Sequence, residues 1–266
     1  MPFDALIPWA ETLERELDPV ARLRHWMGHE PDPWQVEAFL SRSPEIAMRV
    51  GRQSGKTSVL ASRAVEELHK PGSLTLCIAP AERQAKIIAR EIGLQLRKTD
   101  LHITRPTMTE LEMSNDARVI ALPSTSDTIR GFPSVSLLII DECAFLKSND
   151  DDDEKVRGET LIASILPAVT ETGQVIFSST PAGKNNYFAK LFLDAKPGDD
   201  VHRIVVKGTD IPRLAKKVER MRRALSPTKF RQEIEVEMLA DGQAYFDLDM
   251  IENATNEKER AVWPRM

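Results

Sequence analysis

The stretch Arg49-Val-Gly-Arg-Gln-Ser-Gly-Lys-Thr57 restricts the fold more than any other part of the chain, because it joins an apolar run, Ile46 to Val50, to a helical pattern from Thr57 to His69. A glycine-bearing turn between a strand and a helix is the setting in which backbone amides and a helix N-terminus converge on phosphate oxygens. Gly51 and Gly55 allow the tight turn, and Arg52, Gln53 and Ser54 lie between them in the same cradle. Lys56 can reach the β and γ phosphates, and Thr57 offers a hydroxyl to a magnesium ion, so the expected ligand is Mg-ATP. The strict G-x-x-x-x-G-K-T pattern asks for glycine at position 50, where this chain has Val50 with Gly51 beside it.

Further apolar, β-branched runs at Leu74 to Ala79, Val119 to Leu122, Leu137 to Ile140, Val175 to Ser178 and Ile204 to Val206 read as strands. Ala, Leu and Ile return at three- and four-residue spacing from Thr57 to His69 and from Arg83 to Leu96, which reads as helix. Strands alternating with helices predict an α/β fold, a mostly parallel sheet covered on both faces. Ala5 to Met27 reads as an amphipathic helix that ends at His29-Glu-Pro-Asp-Pro33. Beyond Gly208 the chain turns basic and helical, with Pro227 opening a helix that carries Phe230 to Met238. The expected division is a helical prefix at 1–32, a nucleotide-binding core at 33–207, and a helical lid with the start of a linker at 208–266.

With 266 residues, 41% of them hydrophobic, the chain can bury one large core and a small attached subdomain, but not two such nucleotide-binding domains. A net charge of −5 makes global attraction to nucleic acid unexpected, so any DNA contact is local, and binding by an isolated chain should be weak and salt-sensitive. Basic positions are scattered through Lys184, Arg213, Lys216, Lys217, Arg222 and Arg223, so the sequence does not single out the residues of that contact. The two cysteines, Cys77 and Cys143, lie in apolar stretches without metal-ligand spacing, which fits a reducing cytoplasm. There is no secretory pattern and no run approaching the roughly 20 apolar residues that span a bilayer, so no membrane partner is expected. The acidic run Asn149 to Glu154 reads as a solvated loop.

Leu137-Leu-Ile-Ile-Asp-Glu142 is an apolar strand ending in two carboxylates. A buried strand capped by Asp141 explains the first acid but gives no reason for the second. At the C-terminal end of a parallel strand, Asp141 can hold magnesium through a water while Glu142 orients and deprotonates a water attacking the γ phosphate. Val175-Ile-Phe-Ser-Ser-Thr-Pro181 ends a further strand in Ser178, Ser179 and Thr180, which can place a polar sensor beside that phosphate. Upstream, Trp34 precedes Gln35, whose amide has the donor and acceptor needed to pair with the N6 and N7 edge of adenine.

Taken in order, Pro33-Trp34-Gln35, Gly51 to Thr57, Thr128-Ile-Arg-Gly131, Leu137 to Glu142 and Ser178-Ser-Thr-Pro181 resemble the motif set of the large terminase subunits of tailed phages. The resemblance extends through Phe230-Arg-Gln-Glu-Ile-Glu235 and Asp241-Gly-Gln-Ala-Tyr-Phe246, and so covers roughly residues 30 to 250. It implies a RecA-like P-loop NTPase of the additional-catalytic-Glu type that couples Mg-ATP hydrolysis to translocation of double-stranded DNA into a procapsid. By that likeness Arg52 is the loop arginine, Arg130 an arginine offered to a neighbouring subunit's ATP, Ser178 to Thr180 the coupling motif and Gln35 the adenine reader. A homo-oligomeric ring, a portal and a small terminase subunit are the implied partners, in the cytoplasm of an infected bacterium. The family's RNase H-like nuclease domain does not fit before Met266, so nuclease activity is not expected here. Two other readings share several of these motifs. A helicase or restriction-type translocase normally carries two RecA-like domains, and a non-motor nucleotide switch has no need of Glu142.

Overall fold

A computed structural model of the chain describes residues 13–125, 129, 131–146 and 158–240. Arg130, Thr128, the acidic run and the segment Asp241 to Phe246 lie outside them. Eight strands form one sheet: β1 Glu45–Val50, β2 Leu74–Ala79, β3 Ile103–Pro106, β4 Glu110–Met113, β5 Arg118–Pro123, β6 Val135–Asp141, β7 Val169–Ser179 and β8 Val201–Val206. Their order is β3-β4-β5-β2-β6-β7-β1-β8. The six strands from β5 to β8 run parallel, whereas β3 and β4 add an antiparallel hairpin at one edge. β7 is inserted between the phosphate-loop strand β1 and the Asp-Glu strand β6, the RecA-like arrangement.

The helices are α1 Pro19–Met27, α2 Pro33–Leu40, α3 Lys56–Leu68, α4 Glu82–Leu96, α5 Glu159–Ile165, α6 Tyr187–Leu193, α7 Ala215–Ala224 and α8 Pro227–Glu233. Strand alternation divides the core between the two faces of the sheet. On β6, Leu137 and Ile139 pack with Leu60, Val65 and Ile88 of α3 and α4, while Leu138 and Ile140 pack with Ile162 and Phe188 of α5 and α6. Such strands are apolar on both faces, which is why they appear in the sequence as unbroken runs.

Three elements differ from the sequence reading. The helix expected from Ala5 to Met27 is interrupted: residues 13–17 are helical, Asp18 is extended at φ −107°, and α1 restarts at Pro19 with the Asp18 carboxylate accepting from the Val20 amide at 2.8 Å. Proline has no amide for the preceding turn and disfavours helical geometry in the residue before it. The β3–β4 hairpin was not expected; its strands are short, β3 is largely exposed, and β4 alternates half-buried Glu110 and Glu112 with buried Leu111 and Met113. The last helix was expected to carry Phe230 to Met238 but stops at Glu233, because its terminal carbonyls go elsewhere: Arg52 N–H donates to Glu233 O at 2.8 Å and Gly208 N–H to Ile234 O at 2.7 Å.

The first of these bonds fastens the C-terminal helical segment to the phosphate loop, and the second ties two stretches of that segment together. Ile211, Leu214, Val218, Phe230 and Ile234 join the same apolar cluster as α3 and β1. Among the described residues no helix is long and apolar enough to cross a membrane. Cys77 and Cys143 are both buried and unpaired.

Candidate functional site

The register of the parallel strands assembles the site at their C-terminal ends. Asp141 on β6 lies beside Ser178 on β7, and Ser179 lies beside Arg49 on β1, from which the phosphate loop departs. Ligands in open parallel sheets bind at this edge.

Lys56 opens α3 and is almost entirely buried; its ammonium donates to Glu142 Oε1 at 2.9 Å. Glu142 adopts the left-handed conformation, φ 48° and ψ 45°, which costs a non-glycine residue about 1 kcal/mol. That turn takes its carboxylate off the line of β6 and into contact with β7. Glu142 Oε2 accepts from Ser179 Oγ at 3.3 Å, from the Thr180 amide at 3.4 Å and from Thr180 Oγ1 at 3.5 Å. One carboxylate oxygen thus meets the lysine of the phosphate loop and the other meets the Ser-Thr end of the neighbouring strand. Ser178 is fully buried, and its hydroxyl has no hydrogen-bond partner.

Asp141 is buried behind this cluster and accepts from the Glu142 amide at 3.0 Å. Burial, and after it the adjacent Glu142 carboxylate, push its carboxyl up to about 6 against the opposing pull of Lys56. Thr57 stands in the first turn of α3, and its hydroxyl and the Asp141 carboxylate are the hard oxygen donors that suit magnesium. Among the described residues there is no group of three or more His, Cys, Asp or Glu that could hold a metal ion.

Within the loop, Gln53 and Gly55 take positive φ, 64° and 96°, and the buried Ser54 hydroxyl lacks a hydrogen-bond partner. Gly51 does not turn left-handed, and its amide donates to Val206 O at 2.9 Å. Glycine is required there for a different reason from the tight turn expected: a Cβ would stand 2.8 Å from Gly208 N and 3.1 Å from Ile234 O, where the lid crosses the loop. Arg52 is not brought to Lys56 and Glu142; its side chain is 61% exposed and pairs with Glu233 of α8 at 2.9 Å.

Trp34 and Gln35 occupy the first turn of α2, both buried. The Gln35 side chain accepts from the Asp32 amide at 2.9 Å and donates through Nε2 to Gly55 O at 3.3 Å, so it touches the phosphate loop itself. Three further residues at the site were not singled out for it in the sequence. Arg213, counted there among scattered basic positions, reaches Asp32 and the Ser54 carbonyl, both at 2.6 Å through Nη2. Gln232 of α8 donates to Pro181 O at 2.7 Å, linking the lid to the Ser-Thr strand end. Asp32, just before Pro33-Trp34-Gln35, was the legible signal, since an acid preceding a helix start is a cap.

A family model described as "Terminase large subunit, T4likevirus-type, N-terminal" matches residues 48–253. None of the curated proteins matches the chain. Among solved structures, the ATPase domain of the Thermus phage P74-26 large terminase superposes with a TM-score of 0.62 at 22% identity, over 81% of this chain and 97% of that one. The HK97 bacteriophage large terminase gives 0.59 at 20% identity, over 78% of this chain and 50% of that one. The large terminase of a thermophilic bacteriophage in complex with ATP-gamma-S gives 0.61 at 13% identity, over 77% and 52%. The chain thus spans about half the length of these last two relatives, and at such identities the likeness is one of fold. Family match, strand order and the edge that gathers Lys56, Asp141, Glu142 and Ser179 agree, and the chain belongs to the terminase large subunits, as their N-terminal part.

Proposed function

We propose that this chain binds Mg-ATP at the loop Gly51 to Thr57, hydrolyses it with Glu142 as the base, and couples turnover to movement of double-stranded DNA in a viral packaging motor. The observation that carries this reading is the double attachment of Glu142, to Lys56 on one side and to Ser179 and Thr180 on the other. A γ phosphate competes for Lys56, because its oxygens offer the ammonium more negative charge than one carboxylate. Glu142 Oε1 is then released to take a proton from water while Oε2 stays held by β7, so the base becomes available when substrate arrives. Thr57 and Asp141 would hold the magnesium ion, which when bound neutralises charge on the β and γ phosphates. Ser179 and Thr180 would report the state of Glu142 through Pro181 and Gln232 to the lid. Trp34 and Gln35 would border the base, and Arg130 would act on the ATP of a neighbouring subunit.

In the working motor, residues 33–207 form the catalytic core, 1–32 the prefix, and 208–266 the lid and the beginning of a linker. The ring of copies, the portal, the small terminase subunit and the host cytoplasm belong to the same proposal. The test is ATP hydrolysis by the purified chain with and without duplex DNA. Duplex should stimulate turnover, Lys56→Ala should lose nucleotide affinity, and Glu142→Gln should bind ATP but turn over about 10²- to 10⁴-fold more slowly. Near-normal hydrolysis by Glu142→Gln overturns the assignment of the base.

A further inference from the structure

Arg213 lies in the short turn Pro212–Leu214 that leads into α7. Its Nε donates to the two Asp32 carboxylate oxygens at 3.1 and 3.0 Å, and its Nη2 to Asp32 Oδ2 and to the Ser54 carbonyl, each at 2.6 Å. One guanidinium therefore joins the lid, the start of α2 and the phosphate loop. On the following peptide unit, the Gly55 carbonyl accepts from Gln35 Nε2. Two consecutive carbonyls of the loop are thus held from the same side of the chain, by Arg213 and by Gln35. The contact is close: a Cβ at Gly55 would stand 2.7 Å from Gln35 Nε2 and 3.4 Å from Arg213 Nη2.

In a planar trans peptide the N–H points opposite to the C=O of the same unit. A Ser54 carbonyl held by Arg213 fixes the direction of the Gly55 amide, and a Gly55 carbonyl held by Gln35 fixes that of the Lys56 amide. We infer that Arg213 is a positioning residue of the lid: by holding the Ser54 carbonyl away from the nucleotide it aims the Gly55 amide at the phosphates, so that nucleotide affinity depends on lid docking. This rests on the reading of the loop as the ATP site. Arg213 touches neither Lys56 nor Glu142, so it sets binding and leaves the chemical step to them. Its two-pronged geometry is part of the role, since a lysine has a single ammonium and cannot present a planar fork to a carboxylate and a carbonyl together.

The experiment titrates fluorescent ATP and ADP analogues with magnesium onto the 266-residue chain and its Arg213→Ala, Arg213→Lys and Asp32→Asn variants. Melting temperatures confirm that each is folded, and KM and kcat are measured alongside. Arg213→Ala and Arg213→Lys should weaken both nucleotides by about tenfold and raise KM in parallel, with kcat at saturation changed less than about threefold. Asp32→Asn, which keeps the Ser54 contact but loosens its anchor, should fall between them and the wild type. If Arg213 merely fastens the lid, its variants lower the melting temperature and leave the dissociation constants of the folded protein unchanged, which overturns the inference. Wild-type affinity in Arg213→Lys overturns it too, because charge alone then suffices. A wild-type chain that binds neither nucleotide overturns the ATP-site reading itself, a result distinct from a wild type that binds and variants that bind equally well.

Discussion

The close crossing of the lid over Gly51 makes Gly51→Ala a sharp test of how the two parts are joined. The new Cβ would sit 2.8 Å from Gly208 N, 3.1 Å from Ile234 O and 3.3 Å from Gly208 Cα, all of them backbone atoms that cannot rotate away. Carbon contacts are comfortable from about 3.5 Å, so the lid must retreat by roughly half an ångström. Overpacking of this kind costs about 1–3 kcal/mol, and the retreat also strains the 2.8 Å bond from Arg52 N–H to Glu233 O that joins loop and lid, worth about 0.5–1.5 kcal/mol. The expected loss is about 2–4 kcal/mol, or roughly 5–15 °C in melting temperature for a chain of this size. Gly72→Ala is the control: its φ is +68° but no described atom lies within 4 Å of the added Cβ, so only the left-handed penalty of about 1 kcal/mol applies. Thermal and urea unfolding of both variants measure the difference. A Gly51→Ala protein no less stable than Gly72→Ala would refute the claim that lid contact, rather than a turn, demands glycine at this position.

Arg52 pairs with Glu233 at the surface, where an exposed ion pair contributes about 0–1 kcal/mol, so Arg52→Ala should melt within a few degrees of the wild type. If Arg52 leaves Glu233 for the phosphates during turnover, kcat should fall at least about tenfold in Arg52→Ala and stay normal in Glu233→Ala; normal kcat in both removes Arg52 from the chemistry. For Arg130, mixtures of Arg130→Ala and Glu142→Gln subunits should regain ATPase activity that neither shows alone, since some interfaces then combine an intact base with an intact arginine. Mixed assemblies that form but stay inactive exclude the role in trans.

Where one segment carries both the candidate residues and their structural setting, their place in the fold was legible in the sequence. Lys56 and Thr57 stand at the head of a helix whose bounds differ by one residue from those read, Lys56–Leu68 against Thr57 to His69. Asp141 and Glu142 end a strand apolar on both faces, so its burial and its terminus were both visible. The polar edge hairpin Ile103–Pro106 and Glu110–Met113 carried no such signal, because half-exposed edge strands lack the apolar run that marks central ones. β7 extends back to Val169 through Thr170, Glu171 and Thr172, where only its buried half from Val175 was legible. Arg213 was lost among other basic residues for a related reason: its partners at Ser54 and Asp32 are 159 and 181 positions away, and nothing local separates a bridging arginine from a solvated one. The left-handed turn at Glu142, which joins that acid to β7, likewise depends on packing between strands.

The two native thiols have a practical consequence for labelling the protein. Cys77 and Cys143 are both closed off from solvent, and burial pushes each thiol well above its ordinary range, leaving almost no thiolate to react at neutral pH. A cysteine introduced at the exposed Lys216 on α7 would then be the one site in this chain open to a maleimide dye, without first removing the natural pair. Fluorescence from that single label would report whether α7 shifts when nucleotide is added, in a protein otherwise unaltered.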